Sequence, residues 1–178
     1  AQPSAELPPA EVDVDTLNAS QRFVFNVVSS HLEATARSAA LDEPPPLPLH
    51  ALICGTAGSG KTYLISALKQ LLKDRCLVCA PTGVAADNIG GVTYHSKIPM
   101  PRDKRKLDVD DVRLPVDSTR LQQLESDFEQ VGYLIIDEMS MVGRRSLGQI
   151  DHLLRQATGV ETPFGGLSVL LVGDHGQL

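Results

Sequence analysis

The octapeptide Gly55-Thr56-Ala57-Gly58-Ser59-Gly60-Lys61-Thr62 constrains this chain more than any bulk property does. It fits the pattern GxxxxGK[ST], directly after the short apolar run ALIC (51–54) and directly before KTYLISALKQLLK, whose apolar spacing is helical. Strand, glycine-rich loop and helix in that order turn the pattern into a phosphate loop. The glycines let successive backbone N–H groups turn inward around a β-phosphate, and the helix N-terminus adds its dipole. Lys61 is placed to reach β- and γ-phosphates, and Thr62 to ligate Mg²⁺. Residues 55–62 are therefore the expected binding set for ATP and Mg²⁺.

A strand that carries such a loop needs a sheet to sit in, and the chain supplies candidates. CLVCA (76–80), YLIID (133–137) and LSVLLVG (167–173) are short, almost continuously apolar, and ended by Pro, acid or Gly. Strands buried on both faces of a parallel sheet read this way. Between them lie the helical patterns TGVAADNIG, STRLQQLESDFEQV and SMVGRRSLGQIDHLLRQA. The alternation predicts a doubly wound α/β domain, with a parallel sheet and helices on both faces.

Composition narrows the class further. The 178 residues are 42% hydrophobic and 21% charged, as expected of one globular domain. Sixteen Lys+Arg against 22 Asp+Glu give a net charge of -6, which excludes a uniformly basic polymer binder but leaves room for a local nucleic-acid groove. Three cysteines are too few for a disulfide-stapled secreted fold, so a reducing, intracellular setting is expected. Cys76 and Cys79 make a CxxC, but it spans an apolar strand without a second ligand pair, so buried thiols are expected rather than zinc. No apolar run approaches the roughly 20 residues that span a bilayer. His31, His50 and His152 have no partners at ligand spacing.

Residues 1–16, mixed Pro, Ala and acids, read as a mobile lead-in. A helix is expected from the N-cap Asn18 to about Leu41, with Leu17 stapled to its first turn and Phe23, Val24, Val27 and Val28 on its apolar face. The prolines at 44–46 cannot continue it. Gln21 has two compatible readings: a capping-box glutamine, or a carboxamide that reads an adenine edge. Residues 96–116 hold three prolines, a basic run (Arg102, Lys104, Arg105, Lys106) and an acidic one, and are expected to form an inserted loop or small element.

Two more segments bear on chemistry. Asp137 and Glu138 follow an apolar strand, which puts two carboxylates at its carboxyl edge, where ligands sit in open α/β sheets. Asp137 suits the Mg²⁺ shell and Glu138 suits polarisation of an attacking water; the plainer reading is an acidic helix N-cap. Gln177, past the last strand, could contact a γ-phosphate or simply be solvated. APTG (80–83) and TYHS (93–96) set Thr82, Gly83 and His95 at strand ends, suited either to phosphate contacts along a nucleic-acid strand or to simple turns.

Taken in order, LNASQ, GTAGSGKT, APTGVAADNIGGVTYHS, LIIDEMSMV and GDHGQL resemble the Pif-one (petite integration frequency) helicases of superfamily 1B, from Leu17 to Leu178. The resemblance implies a RecA-like domain, the first of two in an ATP-dependent 5′-to-3′ DNA helicase, with roles in DNA repair, recombination or telomere maintenance. By matching position, Gln21 resembles the adenine-reading glutamine, Lys61 and Thr62 the Walker A pair, Asp137 and Glu138 the Walker B pair, and Gln177 the glutamine that links the γ-phosphate to the DNA channel. Thr82, Gly83 and His95 fall where the family lines its single-stranded DNA path. The chain departs from the family at His175-Gly176, where aromatic residues are usual, and the resemblance implies that the second motor domain, with its arginine finger, is expected outside these 178 residues. A monomer without a membrane segment is expected, in the nucleus or mitochondrion if the source is eukaryotic. The competing readings are a self-contained P-loop kinase for small molecules and a nucleotide-binding module without catalysis.

Overall fold

The apolar runs pair side by side, all in parallel, in a computed structural model that describes residues 12–100, 114–116, 118–174 and 176. Strands β1 (His50–Cys54), β2 (Cys76–Ala80), β4 (Tyr133–Ile136) and β5 (Ser168–Gly173) are those the sequence predicts; β3 (Val92–Thr93) is a two-residue addition. The sheet order is β1-β5-β4-β2-β3. Because side chains alternate across a strand, β4 sends Tyr133 and Ile135 to one face and Leu134 and Ile136 to the other, and all four are buried. Burial of each Leu or Ile contributes roughly 1.5–3 kcal/mol, which makes the centre of the sheet its rigid part.

Helices cover both faces, as expected. On one face lie α1 (Ala19–Leu41), α2 (Lys61–Leu72) and α3 (Gly83–Asn88), packed through Val28, Leu64, Ile65, Leu68, Ala86 and their neighbours. On the other lie α4 (Tyr94–Lys97), α5 (Thr119–Phe128) and α6 (Arg144–Thr158), packed through Tyr94, Leu124, Phe128, Ile150 and Leu153.

Four expectations need correction. First, β1 is not buried on both faces: it forms one edge of the sheet, and Leu52 is 59% exposed. Second, the inward stripe of α1 is Val24, Phe25, Val28 and Leu32, while Phe23 and Val27 face outward. The i, i+4 series 24–28–32 sets the buried line, and positions 23 and 27 lie one residue off it. Third, residues 12–16 are not part of a loose lead-in. Val12 is buried with Leu17 against Ala67 of α2, its N–H donates to Gln70 Oε1 at 2.9 Å, and Val14–Thr16 form a 3₁₀ turn. Leu17 shares this cluster with Ala67 of α2 and with Phe25 of α1. Fourth, the ends of the 96–116 segment belong to the core: Ser96 and Lys97 lie in α4, Ile98 is fully buried, and Leu114 exchanges two backbone hydrogen bonds with the Gln156 side chain. The basic run 102–106 lies outside the described residues.

Helix α1 begins and ends as its sequence predicts. Both halves of the capping box form: Asn18 Oδ1 accepts from Gln21 N–H at 3.0 Å, and Gln21 Oε1 accepts from Asn18 N–H at 2.9 Å. Asp42, in the left-handed region, closes the last turn ahead of the prolines.

Candidate nucleotide site

The phosphate loop joins the edge strand β1 to α2, and its shape comes from glycine. Gly58 (φ +75°) and Gly60 (φ +82°) take left-handed backbone, and Ser59 N–H closes a turn onto Thr56 carbonyl at 3.2 Å. Gly60 is favoured by its φ, and a Cβ there would stand 2.4 Å from Gln21 Nε2, so that amide would have to swing off the loop. The loop is tied at its start, where Gly55 N–H donates to the carbonyl of Gly173 at the end of β5, at 3.1 Å. Lys61 lies folded along the loop, its Nζ donating to the carbonyls of Gly55 (2.7 Å) and Thr56 (3.0 Å). An ammonium held this way needs only to swing off two carbonyls to meet phosphate. Thr62 is exposed in the first turn of α2.

Gln21 joins this loop from outside. While its carboxamide oxygen serves the cap of α1, its Nε2 donates to the carbonyls of Gly60 (3.1 Å) and Ser59 (3.4 Å). The cap role read from sequence is present, and it brings the amide to the wall of a cleft of about 860 Å³. The first turn of α1, the end of β1 and the phosphate loop line this cleft, which has the size of an ordinary small-ligand site.

Across β5 from the loop, Asp137 N–H donates to Cys79 carbonyl at 2.9 Å, carrying the sheet ladder one residue past β4. Asp137 is buried, at 6% exposure, and its Oδ1 has no hydrogen-bond partner. Leaving a buried acceptor unpaired costs about 1–3 kcal/mol, and more for a charged group. A hard divalent cation would satisfy that oxygen, and Thr62, in the first turn of α2, offers a hydroxyl, so the chemistry of this donor set fits Mg²⁺. Glu138 follows with φ +52° and ψ +46°, a left-handed conformation that is strained for a residue with a side chain. It occupies the N-cap of the 3₁₀ turn Met139–Met141, yet its side chain makes no capping hydrogen bond, so the plainer reading of this acid is not realised. The turn comes close to β5 because residue 173 is glycine; a Cβ there would stand 2.8 Å from Met139 Cγ.

The third cluster lies at the same carboxyl edge of the sheet. Ala80 pairs in register with Thr93, so Thr82 and His95 each follow two residues behind that pair. The Thr82 hydroxyl caps α3 by accepting from Ala85 N–H at 3.2 Å, which leaves its O–H as a donor. Gly83 and His95 are exposed, and the His95 ring lies 4.1 Å from that of Tyr94 between centroids.

Burial pushes the thiols of Cys76 and Cys79 up to about 12, so both stay protonated at neutral pH. Cys54, by contrast, is exposed in the wall of the nucleotide cleft. His175 and Gln177 lie outside the described residues. The cleft-facing Phe23 was missed as a site residue by the sequence reading, which places it on the core face; its offset from the 24–28–32 stripe was the available signal.

This arrangement of loop, acid pair and strand-end donors has counterparts among known proteins. The sequence model of the PIF1-like helicases matches residues 16–178. The chain belongs to the PIF1-like helicase family. Among curated relatives, "ATP-dependent DNA helicase PIF1" of Saccharomyces cerevisiae is 34% identical over 129 residues, which cover 70% of this chain and 15% of that protein. "ATP-dependent DNA helicase Pif1" of a Psychrobacter species is 32% identical over 72% of this chain and 19% of its own length. Among solved structures, unliganded Pif1 from a Bacteroides species superposes with a TM-score of 0.68 at 33% identity, over 91% of this chain and 32% of that one. Pif1 helicase from Bacteroides in complex with ADP-AlF3 and ssDNA gives 0.67 at 32% identity over 91% of this chain and 33% of that one. The fold is accordingly that of the RecA-like domain in Pif1 helicases. The chain spans a third or less of the relatives it matches.

Proposed function

We propose that this PIF1-like chain is the first of two motor domains in an ATP-dependent DNA helicase that moves 5′-to-3′ along single-stranded DNA. The observation that carries this is the orphaned Oδ1 of Asp137 at the carboxyl end of β4, with a ready-formed phosphate loop at the carboxyl end of β1 across β5. In this reading the loop amides and Lys61 hold the β- and γ-phosphates, while Thr62 and Asp137 would hold Mg²⁺. The metal would neutralise charge on the phosphate oxygens. Glu138 polarises the attacking water, Gln177 couples the γ-phosphate to DNA, and Gln21 braces the loop beside the base. Thr82, Gly83 and His95 contact the DNA backbone. The Bacteroides homologue solved with ADP-AlF3 and ssDNA supports both ligands for this chain.

The rest of the motor, a second RecA-like domain, lies elsewhere in the longer protein and supplies the arginine finger. Such a finger accelerates phosphoryl transfer by roughly 10³ to 10⁵ in well-studied systems, so this domain alone hydrolyses ATP slowly. No helix among the described residues is long and apolar enough to cross a membrane. Work as a monomer on DNA in repair, recombination or telomere maintenance, in a nucleus or mitochondrion, completes the reading.

Fluorescence anisotropy with labelled oligonucleotides tests it. Contact through backbone phosphates predicts affinity that falls with salt, with a slope of roughly -0.7 per neutralised phosphate on single strands. With half the channel absent, the dissociation constant should be micromolar or weaker, near the non-specific range. Thr82→Ala and His95→Ala should each weaken it. Salt-independent binding, or affinity untouched by both substitutions, would place the DNA path elsewhere.

A further inference from the structure

Between α1 and β1 the chain runs Glu43-Pro44-Pro45-Pro46-Leu47-Pro48 and takes neither helix nor strand. Glu43, Pro44, Pro45 and Leu47 each precede a proline, which bars them from helical backbone. The prolines have φ fixed at roughly −65°, so polyproline II is the conformation left to the segment. Burial follows the three-residue turn of that helix. Pro46 and Leu49, three apart, are half-buried, and Leu49 packs against the α1 and α2 side of the sheet. Pro44 and Leu47, also three apart, are exposed, Leu47 at 88%. The segment is fixed in this setting. His31 Nε2–H donates to the Leu47 carbonyl at 3.0 Å, and Leu49 N–H donates to Ser168 Oγ at 3.0 Å. Among the described residues the carbonyls of Pro44, Pro45 and Pro46 accept no hydrogen bond, and the exposed Asp42 and Glu43 form no ion pair. The phosphate loop leaves the far end of β1, so the segment lies at the opposite end of that strand from the nucleotide cleft.

We propose that residues 42–48 dock a protein domain whose groove is lined by aromatic side chains and rimmed by lysine or arginine, a groove of the WW type. Such grooves read Pro-x-x-Pro in the polyproline II form, the spacing that Pro45 and Pro48 supply. Leu47 is the apolar side chain held out for burial between them. The three free carbonyls suit indole and phenol donors, which aromatic grooves carry. Asp42 and Glu43 place negative charge at one end of the segment and select a basic rim over an acidic one. Because the fold already holds the chain extended, little conformational freedom is lost on docking.

The probe is an isolated WW domain with lysine and arginine on its groove rim, titrated with the whole chain. This chain contains no tryptophan, so indole emission reports the WW domain alone. A saturable change in that emission is expected. Leu47→Ala should weaken binding about tenfold, the scale of one leucine removed from a buried contact. The double variant Pro45→Ala, Pro48→Ala should abolish it, and Glu43→Lys should weaken it about threefold at low salt and less at high salt. Leu47 is almost fully exposed, so Leu47→Ala should melt with the wild type; if the proline variant does not fold, Leu47→Ala decides. A synthetic peptide of residues 42–49 should bind no more tightly than the folded chain. Four results overturn the proposal: no binding to the chain, binding to the peptide but not to the chain, affinity indifferent to Leu47→Ala, or binding only to an SH3 domain with an acidic rim. The first three would leave the prolines as a stiff connection between α1 and β1, and the last would reverse the charge of the partner.

Discussion

On one side of β5 the strained backbone falls on glycine, and on the other it falls on glutamate. The phosphate loop uses Gly58 and Gly60 for its left-handed turns, and its Lys61 and Gln21 side chains are hydrogen-bonded within the cleft. The Asp137-Glu138 turn uses a non-glycine residue at φ +52° and leaves a buried carboxylate oxygen without a partner. Glycine adopts such backbone with little steric cost, whereas each strained non-glycine residue costs on the order of 1–3 kcal/mol. The loop is thus complete before any ligand arrives, while the acid turn is held by its surroundings in a form that only a ligand would satisfy. Unrelieved cost of this kind tends to collect where chemistry occurs.

The largest test of this contrast is Glu138→Gln. It keeps shape and removes the charge that, on the proposed reading, orients water, so the protein should bind ATP normally and turn over at least about 10²-fold more slowly. Steady-state hydrolysis and nucleotide titration together read both halves, and unchanged turnover would strip Glu138 of its role. Lys61→Ala strikes the other side. It removes an ammonium that faces phosphate, and calorimetry should show ATP affinity reduced tenfold or more, about 1.4 kcal/mol upward. Equal affinity would mean that the loop does not cradle phosphate.

Two smaller effects concern stability. Asp137→Asn exchanges a buried carboxyl whose Oδ1 has no partner for a neutral amide, so the metal-free domain should gain on the order of 1 kcal/mol. The same variant should lose the rise in Tm that Mg²⁺·ATP gives the wild type. A metal-free domain less stable than wild type would mean that Asp137 is satisfied within the fold. Glu138→Gly should relieve the left-handed strain, and with the entropy of a freer unfolded chain against it, the net gain should stay below about 1 kcal/mol. A clear loss of stability in urea would show that the Glu138 side chain, and not its backbone, is what the fold uses.

Much of this was legible in the sequence. The loop was, because its eight positions demand particular residue types and its flanks carry two different periodicities. The buried strands β2, β4 and β5 were, because a strand covered on both faces has no polar alternation to obscure it. The edge position of β1 was not: ALIC is as apolar as the buried runs, and exposure of Leu52 depends on which strands neighbour it. The outward turn of Phe23 was hidden for a similar reason, since five apolar residues within six positions of α1 admit two choices of face. The bond from Gln21 to the loop joins residues 39 positions apart, and no local pattern encodes it.

The bond between Gly55 N–H and the Gly173 carbonyl has a mechanical meaning. It fastens the first residue of the loop to the last residue of the strand that carries the chain on toward Asp174 and beyond. It is the last rung of the ladder that pairs β1 with β5 from His50–Val169 to Cys54–Gly173. A pull on the chain past Gly173 reaches the loop first through this end rung, by backbone alone, and a push from the loop travels back by the same route.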